Sequence, residues 1–111
     1  MSRLGAVRVR MPEQARRGEV IEIRALAQHP MESGFRHDNT GRPIPRHILT
    51  SFTCSYNGTE IFGATLHPSV STNPYFMFHA LASESGELVF TWKDDQGGVA
   101  THTARLKIGD E

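Results

Sequence analysis

The chain has 111 residues, of which 38% are hydrophobic and 22% charged, a globular balance and enough length for about one domain of roughly 100–200 residues. Twelve Lys and Arg offset twelve Asp and Glu, so the net charge is zero with histidines neutral. That excludes a generic nucleic-acid binder. No apolar run nears the roughly 20 residues of a membrane-spanning helix, and no membrane partner is expected.

Period-two alternation dominates from the start. Residues 6–11 set Val7 and Val9 against Arg8 and Arg10. After Pro12 and Gly18, residues 19–27 form a second β-rich run. A third, residues 48–56, ends at Asn57-Gly58, the dipeptide favoured in a two-residue hairpin turn, and residues 60–66 return beside it. Residues 75–81 are aromatic-rich and follow Asn73-Pro74. Residues 87–93 lead into the turn cluster Asp94-Asp95-Gln96-Gly97-Gly98, and residues 99–108 alternate again. No long repeat has helical spacing. About seven short strands with turns between them predict an all-β fold, an immunoglobulin-like antiparallel β-sandwich in a single domain over residues 1–111.

One stretch breaks the meander. Residues 28–46 carry three prolines, two glycines and Asp38-Asn39-Thr40-Gly41, which excludes both a helix and a central strand. Met31, Phe35 and Ile44 give it more apolar character than a disordered linker has. An ordered functional loop is expected.

Cys54 is the sole cysteine, so no disulfide and no CxxC pair exist within the chain. Alternation puts Phe52, Cys54 and Tyr56 on one strand face, and Thr53 and Ser55 offer no basic neighbour. A buried small hydrophobe fits this setting better than a nucleophile. The blue-copper arrangement, with Cys, His and Met clustered in a short C-terminal loop, is absent.

Six histidines (His29, His37, His47, His67, His79 and His102) raise the question of metal. They form no HExxH motif and are scattered over strands and turns. His79, within the aromatic run, reads as a packed, hydrogen-bonded side chain, and His102 as a solvent-facing one. Asp94 and Asp95 read as turn chemistry rather than a catalytic pair. The alternative function class is nevertheless a metal-binding redox β-sandwich that uses the histidines. Tyr75, Phe76, Phe78, Phe90 and Trp92 exceed what one sheet face requires. Either residues 75–81 present an aromatic face to another chain, or that strand switches sheets. The N-terminal residues 1–10 are basic without an uninterrupted apolar core, and are not expected to act as a signal peptide.

The long loop also carries a resemblance. His29-Pro30-Met31-Glu32-Ser33-Gly34, then Arg36, Asp38, Gly41 and Ile44-Pro45-Arg46, resembles the SoxZ family, the Z subunit of the SoxYZ carrier of bacterial thiosulfate oxidation. Asn73-Pro74-Tyr75-Phe76, Ser85-Gly86 and Trp92-Lys93-Asp94-Asp95-Gln96-Gly97 are similar to the same family, so the likeness runs over nearly the whole chain. Ser33 stands where Thr is common. The resemblance implies a non-catalytic, cofactor-free subunit that forms a heterodimer with SoxY, whose glycine-rich C-terminal arm holds sulfur intermediates on a cysteine. This chain ends Leu106-Lys107-Ile108-Gly109-Asp110-Glu111, without such an arm, so Cys54 is not assigned the carrier role. Transient docking with SoxXA, SoxB and SoxCD, and a periplasmic location reached by export with the partner, are also implied. His29, Met31, Glu32, Phe35 and Arg36 of the loop, with Tyr75 and Phe76 of the aromatic run, are the candidate partner-binding residues.

Overall fold

A computed structural model describes residues 6–109. The N-terminal residues 1–5 and the last two, Asp110 and Glu111, on which the signal-peptide and chain-end readings partly rest, lie outside the described residues. Eight strands make up the fold: β1 (Val7–Arg10), β2 (Gln14–Ala15), β3 (Val20–Ala27), β4 (Leu49–Tyr56), β5 (Thr59–Thr65), β6 (Tyr75–Leu81), β7 (Gly86–Asp94) and β8 (Val99–Ile108). One sheet runs β1-β3-β6 and the other β2-β8-β7-β4-β5. Among the described residues there is no helix, and the immunoglobulin-like sandwich expected from the alternation is the fold that forms.

The alternation works because each sheet buries one face and wets the other. In β3, Ile21, Ile23, Ala25 and Ala27 point inward while Val20, Glu22 and Arg24 are exposed. In β7, Leu88, Phe90 and Trp92 are fully buried. The two inner faces meet on Phe52, whose ring stacks on Phe76 at 4.6 Å and contacts Trp92 at 5.0 Å. Phe62 stacks on Phe78 at 4.3 Å, so rings from both sheets form one cluster. Such offset contacts add about 0.5–1.5 kcal/mol each beyond the area they bury.

The β4–β5 hairpin turns at Asn57 (φ 48°) and Gly58 (φ 85°), the paired positive φ that this dipeptide tolerates. Two residues were too few to show a period, so β2 escapes the sequence reading. It pairs parallel to the end of β8, Gln14 beside Lys107 and Ala15 beside Ile108.

Three expectations need correction. β6 keeps one register against β3 over its whole length, so it does not switch sheets. Tyr75 is exposed while Phe76 and Phe78 point into the core, as alternation on a single strand requires. His79 is exposed rather than packed, because its position falls on the outward parity of β6. His102 is half-buried rather than solvent-facing: it shares the core-facing parity of Ala100 and Ala104, and its ring lies 6.1 Å from Phe90.

Candidate docking site around the long loop

The segment between β3 and β4 folds back on itself as an irregular hairpin. Glu32 and His47 exchange both backbone hydrogen bonds, at 2.8 and 2.9 Å. Farther out, the Ile44 amide donates to the Arg36 carbonyl and the Asp38 amide to the Arg42 carbonyl. At the tip, Asp38 Oδ1 accepts from the Thr40 hydroxyl at 2.7 Å and from the Thr40 and Arg42 amides. Those bonds, the hydroxyl's first, hold the Asp38 carboxyl below its usual pKa. The loop is therefore ordered by its own backbone, without joining either sheet.

Its root is tied to the sandwich from two sides. On one side, the His29 amide donates to Asn73 Oδ1 at 2.9 Å and the Asn73 amide returns a bond to the His29 carbonyl at 2.8 Å. On the other, Asp95 accepts from the Ile48 amide through Oδ1 and from Arg46 Nε through Oδ2, at 3.1 and 3.0 Å. Met31 lies buried beneath with φ 51°, a backbone region that costs a side-chain-bearing residue roughly 1–2 kcal/mol. Its amide bond to His29 Nδ1 and the Leu49 amide on its sulfur hold it there.

In the sequence His29 lies near the start of the loop, His47 just after it and Asp94 in a distant turn. The fold brings all three together, with one potential ligand atom from each within 4.8 Å of the others. The imidazoles meet edge to face at 4.5 Å. Asp94 does supply turn chemistry, its Oδ1 accepting from the Gln96 and Gly98 amides at 2.9 and 2.6 Å. It also faces the loop, with Oδ2 3.2 Å from His47 Nε2. A histidine at each end of a proline-rich loop was the available signal. Nothing local pointed to the third member.

Protonation decides what this cluster can do. The Met31 amide occupies the lone pair of His29 Nδ1 at 2.9 Å, so the neutral ring carries its proton on Nε2. Among the described residues, that buried Nε2 has no hydrogen-bond partner. Burial first, and the neighbouring His47 second, lower the His29 pKa; Asp94 and Asp95 pull the other way without reversing it. Metal-bound histidines normally donate their second N–H to a carbonyl or carboxylate. Here the second nitrogen accepts instead, so metal binding through Nε2 would require an imidazolate. Binding through Nδ1 would forfeit the Met31 bond. The three residues fit a loop anchor better than a metal cage.

The seven candidates from the sequence divide by exposure. His29 and Met31 are 2% and 6% exposed and support the loop from below, and Phe76 is packed against Phe52. Glu32 and Arg36 pair with each other across one turn of the loop, and the Arg36 guanidinium holds the Glu32 carboxyl below its usual pKa. Phe35 is 81% exposed and Tyr75 55%. Buried His29 and Met31 and half-buried Phe76 position the loop and β6; the exposed members are what another molecule would meet. Cys54 is fully buried mid-strand, and desolvation pushes its thiol up to about 12.

The family model for sulphur oxidation protein SoxZ matches residues 8–105. No curated protein sequence matches the chain. Among solved structures, the superoxide reductase (neelaredoxin) from Ignicoccus hospitalis is similar at TM-score 0.75 and 14% identity, covering 95% of this chain and 81% of that one. A putative superoxide reductase from Thermotoga maritima is similar at TM-score 0.72 and 13% identity, over 94% of this chain and 86% of that one. The sulfur carrier protein SoxY from Chlorobium limicola f thiosulfatophilum is similar at TM-score 0.67 and 13% identity, over 93% and 78%. At these identities the likenesses speak for a shared sandwich alone.

Proposed function

This chain belongs to the SoxZ family of sulphur oxidation proteins, and we propose from that membership that it is the non-catalytic subunit of a sulfur carrier, paired with SoxY. The family match over residues 8–105 carries the reading. In it, SoxY supplies the cysteine arm that holds the sulfur, and this chain supplies a rigid body against which that arm is displayed to SoxXA, SoxB and SoxCD in turn. The pair resides in the periplasm, exported together.

The chemistry of Cys54 supports this division of labour. A sulfur carrier needs a thiolate that a reactive partner can reach. A thiol with no exposed surface and a pKa of about 12 is almost wholly protonated at neutral pH and out of reach. That supports a reading in which the sulfur is carried on another chain. The loop supports the reading from the other side: its anchored root holds Phe35 and Arg36 outward, where a passing enzyme or the partner would meet them.

The test is to express the chain with and without SoxY and follow both. SoxY should co-purify with it in constant ratio. After turnover with thiosulfate, mass spectrometry should find sulfur adducts on the SoxY arm and none on Cys54. Phe35→Ala should leave the fold intact while weakening association with SoxY or with a processing enzyme. An adduct on Cys54, or turnover by the isolated chain, would sink the proposal.

The metal reading retains one specific observation in its favour, the approach of His29, His47 and Asp94. Metal analysis of the isolated chain separates the two readings: stoichiometric iron or copper lost in the His47→Ala variant would favour the redox protein.

A further inference from the structure

The outer face of the β1-β3-β6 sheet has the composition of an interface with an acidic partner. Outward-pointing side chains form rows across the three strands, fixed by the register. Arg8, Leu26 and Tyr75 make one row, and Arg10, Arg24 and Met77 the next. Glu22 then stands beside His79, and Val20 beside Leu81. Among the described residues seven large hydrophobic side chains are exposed, and four of them, Val20, Tyr75, Met77 and Leu81, lie on this one face. Tyr, Met and Arg are also the side chains enriched where proteins meet.

Charge says what kind of partner covers it. Arg10 stands directly opposite Arg24, a like-charge cross-strand pair that disfavours the isolated sheet. The chain is neutral overall, so a general excess of base does not explain three arginines here. Glu22 pairs with Arg24 at 2.8 Å. Among the described residues Arg8 and Arg10 have no ion pair. Arg8, Arg10 and Arg24 stand with Tyr75 around a shallow depression of about 240 Å³ lined by Leu26. Two unneutralised guanidiniums beside a phenol, over an apolar floor, suit a carboxylate presented on an apolar surface.

We propose that this sheet face, centred on Arg8, Arg10, Leu26, Tyr75 and Met77, is where the chain docks the SoxY subunit, through carboxylates that SoxY presents to the two free arginines. The assignment rests on the pairing put forward above and adds its surface and its chemistry. β6, with Tyr75 and Met77, forms one margin of this sheet and β1, with Arg8 and Arg10, the other, so one docked partner can meet both.

Titration calorimetry with purified SoxY tests the assignment. Three variants matter: Arg8→Glu/Arg10→Glu, Tyr75→Ser/Met77→Ser, and the charge-matched control Arg105→Glu/Lys107→Glu on the opposite sheet. All six positions are exposed, and far-UV circular dichroism with urea unfolding confirms that each variant folds. The face is supported if each of the first two pairs weakens binding at least about tenfold while the control stays within about twofold. Wild-type binding should also weaken as salt rises from 50 to 300 mM, and the arginine variant should lose most of that dependence. Wild-type affinity in both face variants overturns this surface and leaves the pairing standing. Absence of binding by the wild type overturns the pairing itself. A wild-type homodimer broken by the same substitutions assigns the face to a second copy of the chain and overturns the SoxY assignment.

Discussion

Asp94→Ala should be the most damaging single change in the loop region. The Asp94 side chain has no exposed surface and accepts from the Gln96 amide at 2.9 Å, the Gly98 amide at 2.6 Å and His47 Nε2 at 3.2 Å. Hydrogen bonds to a charged group contribute about 1.5–3 kcal/mol each, and a buried donor left without its partner costs about 1–3. Gln96 is exposed and Gly98 half-exposed, so water recovers part of the loss at those amides. His47 is less accessible and recovers less. The net cost is about 3 kcal/mol, a large share of the roughly 5–15 kcal/mol that holds a domain of this size. It should lower Tm by about 12 °C. Trp92 is the only tryptophan and fully buried, so urea unfolding followed by its fluorescence measures the change directly. Hydrogen exchange at the Glu32 and His47 amides, which close the loop root, should accelerate in the variant. A destabilisation below about 1 kcal/mol, or unchanged exchange at those two amides, would refute Asp94 as the anchor.

Acid should weaken the same anchor through His29. Its pKa is lowered in the fold, so the unfolded chain holds the proton more tightly. The stability it contributes is complete above the ordinary histidine pKa of 6.5 and is lost as pH falls from there through the lowered value in the fold. Urea midpoints at pH 7.5 and 5.5 should therefore fall with acidification, and the fall should shrink in His29→Gln. Cys54 should resist a thiol reagent at pH 8 in the native state and react only at the rate of unfolding, since burial holds its thiol at about 12; fast stoichiometric labelling without urea would contradict its burial. Gly86→Ala should cost about 2 kcal/mol or more, because the new Cβ would fall 1.7 Å from Asn57 Oδ1, which accepts from the Glu87 amide. Its urea midpoint against that of Asn57→Ala shows whether the two changes break the same contact. Phe52→Ala should cost about 3–5 kcal/mol by opening a cavity between Phe62, Phe76 and Trp92; a urea-derived loss under 2 kcal/mol would mean that the ring cluster collapses to fill it.

The strands were legible because their signal is local. A sheet with one wet face writes its period into every second residue, so residues 19–27 and 99–108 show their strands without reference to any partner. Asn57-Gly58 gives the β4–β5 turn in the same way, through the φ values its two residues accept. How the strands divide between sheets is not local. It is set by which inner faces fill one volume, here Phe52 and Phe62 of one sheet against Phe76 and Phe78 of the other. His79 shows a limit of reading by composition: aromatic neighbours suggested burial, whereas strand parity put the ring outside.

The loop anchor and the arginine face were hidden for a shared reason: both are assembled across strands. His47 and Asp94 lie 47 positions apart, joined because β4 pairs antiparallel with β7 and sets Leu49 beside Asp94. Arg10 and Arg24 are separated by a turn and by β2, and only the β1–β3 register puts them side by side. Along the chain each arginine reads as the polar half of an ordinary alternation, which is also how it stabilises its own strand. The like-charge pair emerges only from the register, where no neighbour within the sheet neutralises Arg8 or Arg10. A surface arrangement that burdens the free chain persists if the assembled complex gains from it. The salt dependence of the proposed pairing is therefore the most direct measure of what this face does.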